Sequence, residues 1–372
     1  MKRRRRADGV IVHKALSTRV YYAVCCFVLY FVAAAASFTG YYDKWHFSEA
    51  QMAGEDTRFS FEKIVDGTAT RPVAYRVLLP TVANWVDAAV PKPFERWLYD
   101  YQNFQKIDAL FTSPTAEDPV YFFRYLILYL EAFLFALLAV YAMQLVCRAL
   151  GFGPATALFT PVVVILLVPF IECNGGYFYD YPELALVSLA VWVALKFEWW
   201  SIFPIALLGT WNKESFLLFM PTLYPFLRQR ASRLKGAIQV VVLMLLCGIA
   251  YLPVRLRFAG NPADASVIPG MDQLNYFLHP HNFLFDTETT YGLLLWKSST
   301  ILPMALLVWT VWRAWRRLPR MIKRHAQIAA AINLPLYVLF CAPGELRNLS
   351  MLYVALLVVL ATNLEEWTVS RA

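Results

Sequence analysis

Thr210-Trp-Asn-Lys-Glu-Ser215 interrupts an apolar run, with residues 201–209 before it and residues 216–227 after it. A membrane-crossing helix needs about 20 apolar residues, and each flank is too short. Basic residues bracket the pair: Lys196 precedes it, and Arg228, Arg230, Arg233 and Lys235 follow it. Lys- and Arg-rich loops stay on the cytoplasmic side. With both ends there, the segment must enter the bilayer and come back, which puts Lys213 and Glu214 at membrane depth. Ionisable residues at that depth face protein or water and mark functional sites. The plainer alternative is an outer loop between two short tilted helices.

The rest of the chain has the same character. Of 372 residues, 59% are hydrophobic and 16% charged, with mean hydropathy +0.48. Soluble domains carry about 25% charged residues, so this composition is that of a polytopic membrane protein. The net charge of +8 would suggest nucleic acid in a soluble chain. Here the basic residues cluster beside apolar runs. Nucleic acid is therefore excluded as a partner, and anionic membrane lipids are the expected neighbours of the clusters. The cysteines form no CxxC pair, which argues against zinc. Cys173 and Cys341 are the two that could meet on the outer face.

Reading outward gives one integral membrane domain, residues 1–372, all-α, with roughly eight to ten membrane helices including the broken or re-entrant pair. Residues 1–19 form a basic cytoplasmic terminus, and 20–38 an uncleaved signal anchor. Residues 39–118 are a first outer loop, partly helical, with an amphipathic helix at the interface over 81–90. Spans follow over 120–146, 155–171 and 184–197, then the broken pair, then 237–253. Residues 254–291 form a second outer loop, followed by spans over 292–312, 326–342 and 349–364. No internal repeat is visible, which argues against inverted-repeat transporters.

The unusual charges gather on the outer face: Glu55-Asp56, Arg71 to Arg76, Asp180 to Glu183, Lys213-Glu214 and Glu345-Leu-Arg347. They could line one cavity, or be separate interfacial anchors and caps. Arg71 and Arg76, flanking Tyr75, suit phosphate, because the guanidinium fork makes bidentate charge-assisted bonds; salt bridges to Asp66 or Asp87 are the alternative. Asp180 and Glu183 open an apolar helix, where they either cap it or act catalytically. His279-Pro-His281 near Asp286 is either a divalent-metal site or an incidental pair. Asn348-Leu-Ser350 fits a glycosylation sequon but abuts an apolar run, and is read as chance.

Four short motifs carry a resemblance. Arg71-Pro-Val-Ala-Tyr-Arg-Val-Leu-Leu-Pro80, Tyr179-Asp-Tyr-Pro182, Asn212-Lys-Glu214 and Glu345-Leu-Arg347 together resemble the GT-C superfamily of membrane glycosyltransferases. That resemblance implies a bacterial inner-membrane, multi-pass enzyme with a cytoplasmic N-terminus. It implies a polyprenyl-phosphate-linked sugar donor used on the non-cytoplasmic face, and a glycan or lipid acceptor. A carboxylate in the first outer loop would act as base. Asp56 stands where that residue is expected, and Asp43, followed by Lys44, is the alternative; Asp180 is a further catalytic candidate. Arg71, Tyr75, Arg76, Glu183, Lys213, Glu214, Glu345 and Arg347 would bind substrate. No cofactor is implied. Two other readings use the same residues: a flippase for a lipid-linked sugar, and a non-catalytic subunit of a polysaccharide assembly.

Overall fold

The computed structural model describes residues 2–48, 60–105, 118–173, 175–263 and 270–369. It is an all-α polytopic bundle. Among the described residues, five helices are long and apolar enough to cross a membrane, with windows only 33–50% buried by protein. The remaining surface of those helices is apolar and exposed, as a lipid-facing surface must be.

The first helix, α1, runs Lys2–Trp45, with Val20–Trp45 as its spanning part. It ends later than the sequence suggests. Lys44 extends the span by bonding the carbonyls of Pro169 and Glu172 at 2.8 and 3.2 Å and the Glu288 carboxylate at 2.7 Å. The region between the first two spans contains α2 (Phe61–Val65), α3 (Leu78–Ala89) and α4 (Lys92–Gln105). In α3, Leu78, Leu79 and Ala83 are buried while Val82 and Trp85 are exposed. This is the one-sided pattern expected of the interfacial helix.

Three helices make the core of the bundle: α5 (Phe122–Ala149), α6 (Pro154–Ile171) and α7 (Asp180–Lys196). Ala132, Ala136 and Ala139 on α5 are fully buried, as are Ala185, Ala190 and Val191 on α7. Small residues let helix backbones approach closely where no hydrophobic drive operates between them. Helix α7 is buried on all sides from Asp180 to Ser188. It is the post around which the other helices stand.

The broken pair is α8 (Phe203–Asn212) and α9 (Phe216–Leu227), whose middle turn, Met220–Leu223, tightens to 3-10. Pro221 and Pro225 lack the N–H that a regular α-helix needs there. Lys213 is extended, at φ −157° and ψ 129°, and breaks the pair. Gly209 makes the fold-back possible, since a Cβ there would lie 2.4 Å from the Phe216 ring. The two limbs return to one end. Arg230, just past α9, donates to the carbonyls of Phe197 and Leu195 at 2.6 and 2.8 Å, just before α8. The pair is therefore a helical hairpin whose limbs start and finish at the same end, as the re-entrant reading requires.

Next come α10 (Arg233–Arg257), α11 (Gly270–Leu278) and α12 (Pro280–Leu284). A hairpin of β1 (Thr287–Thr290) and β2 (Leu293–Trp296) follows. Residues 292–312 therefore do not form one span: Leu293 to Trp296 are paired strand, and helix α13 covers only Ile301–Trp315. The Thr-rich strand Thr287–Thr290 and the Tyr291-Gly292 turn, both of whose residues are at positive φ, favour the hairpin over a helix. Helix α14 (Arg320–Phe340), a 3-10 turn (Leu346–Leu352) and α15 (Tyr353–Val369) complete the chain. Cys173 and Cys341 are free thiols.

Candidate functional site

The tip of the hairpin, the start of α7, the 3-10 turn Leu346–Leu352 and the turn Val73–Tyr75 meet around a cavity of about 510 Å³. Helix α7, with 17 residues, is about 25 Å long at 1.5 Å per residue. Lys213 therefore sits close to the end of the bundle opposite Arg230, a little inside it.

Two tyrosines organise the cavity wall. Tyr177 and Tyr179 stack with centroids 5.1 Å apart and planes 9° from parallel. Arg76 lies over Tyr179 at 4.2 Å, Lys213 over the same ring at 5.7 Å, and Arg347 over Tyr177 at 4.4 Å. Ring quadrupoles attract cations, and most strongly in dry sites. The Tyr179 hydroxyl also accepts hydrogen bonds from Arg76 and, at 3.5 Å, from Arg347. Burial holds the Tyr179 phenol above its ordinary range, against the pull of both arginines. It stays a neutral hydroxyl with a proton to donate.

Each cation also has a carboxylate. Lys213 Nζ donates to Glu183 Oε2 at 2.7 Å, with side chains 7% and 6% exposed. Arg347 bonds Asp180 Oδ1 and Glu345 Oε1, both at 3.3 Å. Arg76 faces Glu214 Oε1 at 3.7 Å, beyond hydrogen-bond range. Asp180 also accepts the Tyr177 N–H at 2.8 Å, so it holds the turn before its helix and Arg347 together. Neutral residues close the ring. Ser350 donates to Glu183 at 2.5 Å, and Asn348 bonds Glu345 at 2.8 Å while receiving Lys213 at 3.4 Å. Buried charges persist only when so partnered.

The network is not saturated. Arg76 Nε, Arg347 Nε and Glu214 Oε2 are buried without a hydrogen-bond partner. Buried polar atoms in that state are uncommon and ask for a ligand or water. Gly175, at φ +146°, lets the chain pass here, because a Cβ would lie 2.9 Å from Glu345 Oε1.

Of the residues singled out in the sequence, Arg76, Lys213, Glu214, Glu345 and Arg347 line the cavity. Asp180 and Glu183 stand behind the cations rather than at the surface. Others are elsewhere. Arg71 does not line the cavity, and its backbone N–H bonds the Pro262 carbonyl at 3.0 Å. Arg76 lines the cavity and Arg71 does not, so the two do not meet there as a pair. Tyr75 packs its buried ring on Tyr251, 5.6 Å away. Asp43 is exposed on the last turn of the first span, away from the cavity lining. Glu55 and Asp56 lie outside the described residues. Asp66 and Asp87 pair with Arg124 and Lys92, not with Arg71 or Arg76. Glu214 pairs with neither Lys213 nor Arg347, since the hairpin tip turns it toward Arg76.

In the other motif, His279 bonds the Asn275 carbonyl, the His281 ring lies 6.5 Å from that of Phe285, and Asp286 pairs with Lys297. Among the described residues no cluster of three or more His, Cys, Asp or Glu could hold a metal. Sequence reasoning missed the tyrosine stack and the Asn348 and Ser350 contacts. The aromatic run Tyr177-Phe-Tyr179 was the available signal for the stack, and Asn348-Leu-Ser350 had been read as chance. Protein-family comparison finds no matching family, and no characterised protein or solved structure matches the chain.

Proposed function

We propose that this protein is a membrane glycosyltransferase that takes its sugar from a lipid-linked phosphate donor. The observation that carries this reading is the convergence of Arg76, Lys213 and Arg347 on one cavity, with unsatisfied guanidinium N–H groups on the two arginines. The donor phosphate would sit among these cations and receive the Tyr179 proton as a hydrogen bond. Apolar Leu218, Leu336 and Phe340 on the same wall would meet the start of the lipid chain.

Such a site supports transfer chemistry. The acceptor oxygen attacks the anomeric carbon, and the bond from that carbon to the phosphate oxygen breaks. The electron pair leaves with the phosphate, where fixed cations stabilise the growing charge. A carboxylate takes the acceptor proton. Glu214 suits that role best among the lining carboxylates, because Arg76 holds it only at 3.7 Å and its second oxygen is unpartnered. Glu345 is committed to Arg347 and Asn348. In this reading the end that carries the dense basic clusters, with the N-terminus, faces the cytoplasm, because Lys- and Arg-rich loops stay on that side, and the membrane is a bacterial inner membrane.

The test is sugar transfer by the purified protein from a polyprenyl-phosphate sugar, with Glu214→Gln and Asp56→Asn assayed in parallel. Transfer that falls at least a hundredfold in Glu214→Gln supports the assignment. Loss only in Asp56→Asn moves the base to the first loop. Donor movement across proteoliposomes without any transfer would replace the reading with a flippase.

A further inference from the structure

The opposite end of the hairpin carries a second group of cations that the proposed reaction does not use. Arg228 follows α9, Arg233 opens α10 and Arg324 lies in the first turns of α14. With Tyr224, Pro225 and Ile328 they line a recess of about 440 Å³. Gly236 of α10 lies against Tyr224 and the Arg228 backbone, so α10 is in contact with the return limb of the hairpin at the recess.

Several neighbouring cations have partners that these three lack. Arg313 and Arg317 share Glu366 at 2.9 and 2.5 Å. Arg230 bonds two carbonyls of the chain leading into α8. Lys323 bonds the Arg316 carbonyl at 3.1 Å. Among the described residues, no carboxylate or hydrogen-bond acceptor pairs with the side chains of Arg228, Arg233 or Arg324. Three guanidinium groups gathered without a counter-charge repel one another unless an anion joins them.

The flanking surfaces say what kind of anion. Leu234, Ile238 and Val241 form an exposed apolar stripe on α10 immediately beside Arg233. Leu334 and Val338 continue the exposed face of α14 away from Arg324. Both helices pack on α9, so the arginines cap one end of a surface with apolar walls. A free ion would need only the cations. A phospholipid needs a phosphate seat and apolar walls running from it, and both are present.

We infer that this recess is a binding site for an anionic phospholipid, its phosphate held by Arg228, Arg233 and Arg324 and its acyl chains lying on α10 and α14. Arg suits the role because its planar fork bonds phosphate bidentately. The site would tie together the return limb of the hairpin, α10 and α14. It stands independently of the proposed transfer reaction.

The experiment uses the full chain in nanodiscs, with phosphatidylglycerol mixed into phosphatidylcholine, and reads retained lipid by native mass spectrometry. The wild type should retain phosphatidylglycerol over phosphatidylcholine by tenfold or more. Arg228→Gln and Arg324→Gln should each weaken retention by about tenfold, the effect of one charge-assisted bond. Arg316→Gln, the same charge change at the same end, should leave it unaltered. Equal loss in Arg316→Gln would mean general attraction to the surface and overturn the site. Displacement of the lipid by millimolar inorganic phosphate would mean a free-anion site and overturn it too. If the glutamine variants do not fold, Arg228→Lys and Arg324→Lys decide: they keep the charge but lose the fork, and undiminished retention in both would refute the arginine seat.

Discussion

Lys213 reaches Glu183 across 2.7 Å, joining the tip of the re-entrant hairpin to the first turn of the central helix α7. The two residues are 30 positions apart in sequence. Their contact fixes how deep the hairpin enters and so where the cavity forms. Removing one partner of a buried pair leaves an uncompensated charge and costs about 3–5 kcal/mol. Lys213→Met should therefore lower the melting temperature sharply, and Lys213→Met with Glu183→Gln should recover much of it. Wild-type melting of Lys213→Met alone would show that the pair does not hold the tip.

Arg76 and Arg71 should part company. Arg76 is stacked over Tyr179 at 4.2 Å and lines the cavity. Arg76→Lys keeps a charge but loses the planar stack and the fork, a difference of about 1–2 kcal/mol. Donor-phosphate binding should weaken roughly five- to thirtyfold. Arg71→Ala should bind within about twofold of wild type, because Arg71 does not reach the cavity. Equal losses in the two variants, measured by titration with a polyprenyl phosphate, would contradict this placement.

Gly209 is where the hairpin limbs touch. A Cβ would lie 2.4 Å from Phe216, and overpacking of this kind costs about 1–3 kcal/mol. Gly209→Ala should destabilise the protein, and Phe216→Leu in the same chain should restore part of the loss. A double variant no better than the single one would place the strain elsewhere.

Glu172 follows α6 with both carboxyl oxygens buried and unpartnered. Burial lifts this carboxyl well above its usual range, and Asp180 adds to the rise, while Arg347 and Lys44 oppose it. In the unfolded chain a glutamate ionises near pH 4.3. Between that pH and the folded value, the native state binds the extra proton. Stability contributed by the neutral group is thus full below the unfolded pKa and is lost as pH rises through the folded one. Glu172→Gln is neutral throughout, so its melting temperature should not follow the wild-type decline with rising pH. Parallel pH profiles would remove Glu172 as the cause.

The ends of the bundle can be told apart chemically. Gln229 donates a hydrogen bond to Met321, so the turn after α9 and the start of α14 share one end. Single cysteines at Gln229 and Met321 should be blocked together by a membrane-permeant reagent only. One at His281, beyond the far end of α10, should react with an impermeant reagent from outside. Labelling of Met321 from outside would reverse the proposed orientation.

Much of this architecture is local and therefore legible in the chain. Apolar runs set the spans, because a backbone in lipid must satisfy its hydrogen bonds within the helix. The charged break at Lys213-Glu214 between two short flanks, with arginines after it, gave the re-entrant pair. The same reasoning failed at Leu293 to Trp296, where apolarity alone does not distinguish a strand from the start of a helix. The site was legible as a set of residue types but not as partners. Lys213, Arg347, Glu345 and Arg76 could be named from their place at helix ends. That Lys213 takes Glu183, that Arg347 takes Asp180, and that Glu214 turns to Arg76 depends on how deep one helix sits against another. Arg71 and Arg76 looked equivalent five positions apart; the turn between them gave only Arg76 the cavity. Ion pairing over such sequence distances follows from the packing of α7, the hairpin and the 3-10 turn Leu346–Leu352, and packing of that kind is decided only when the helices have come together.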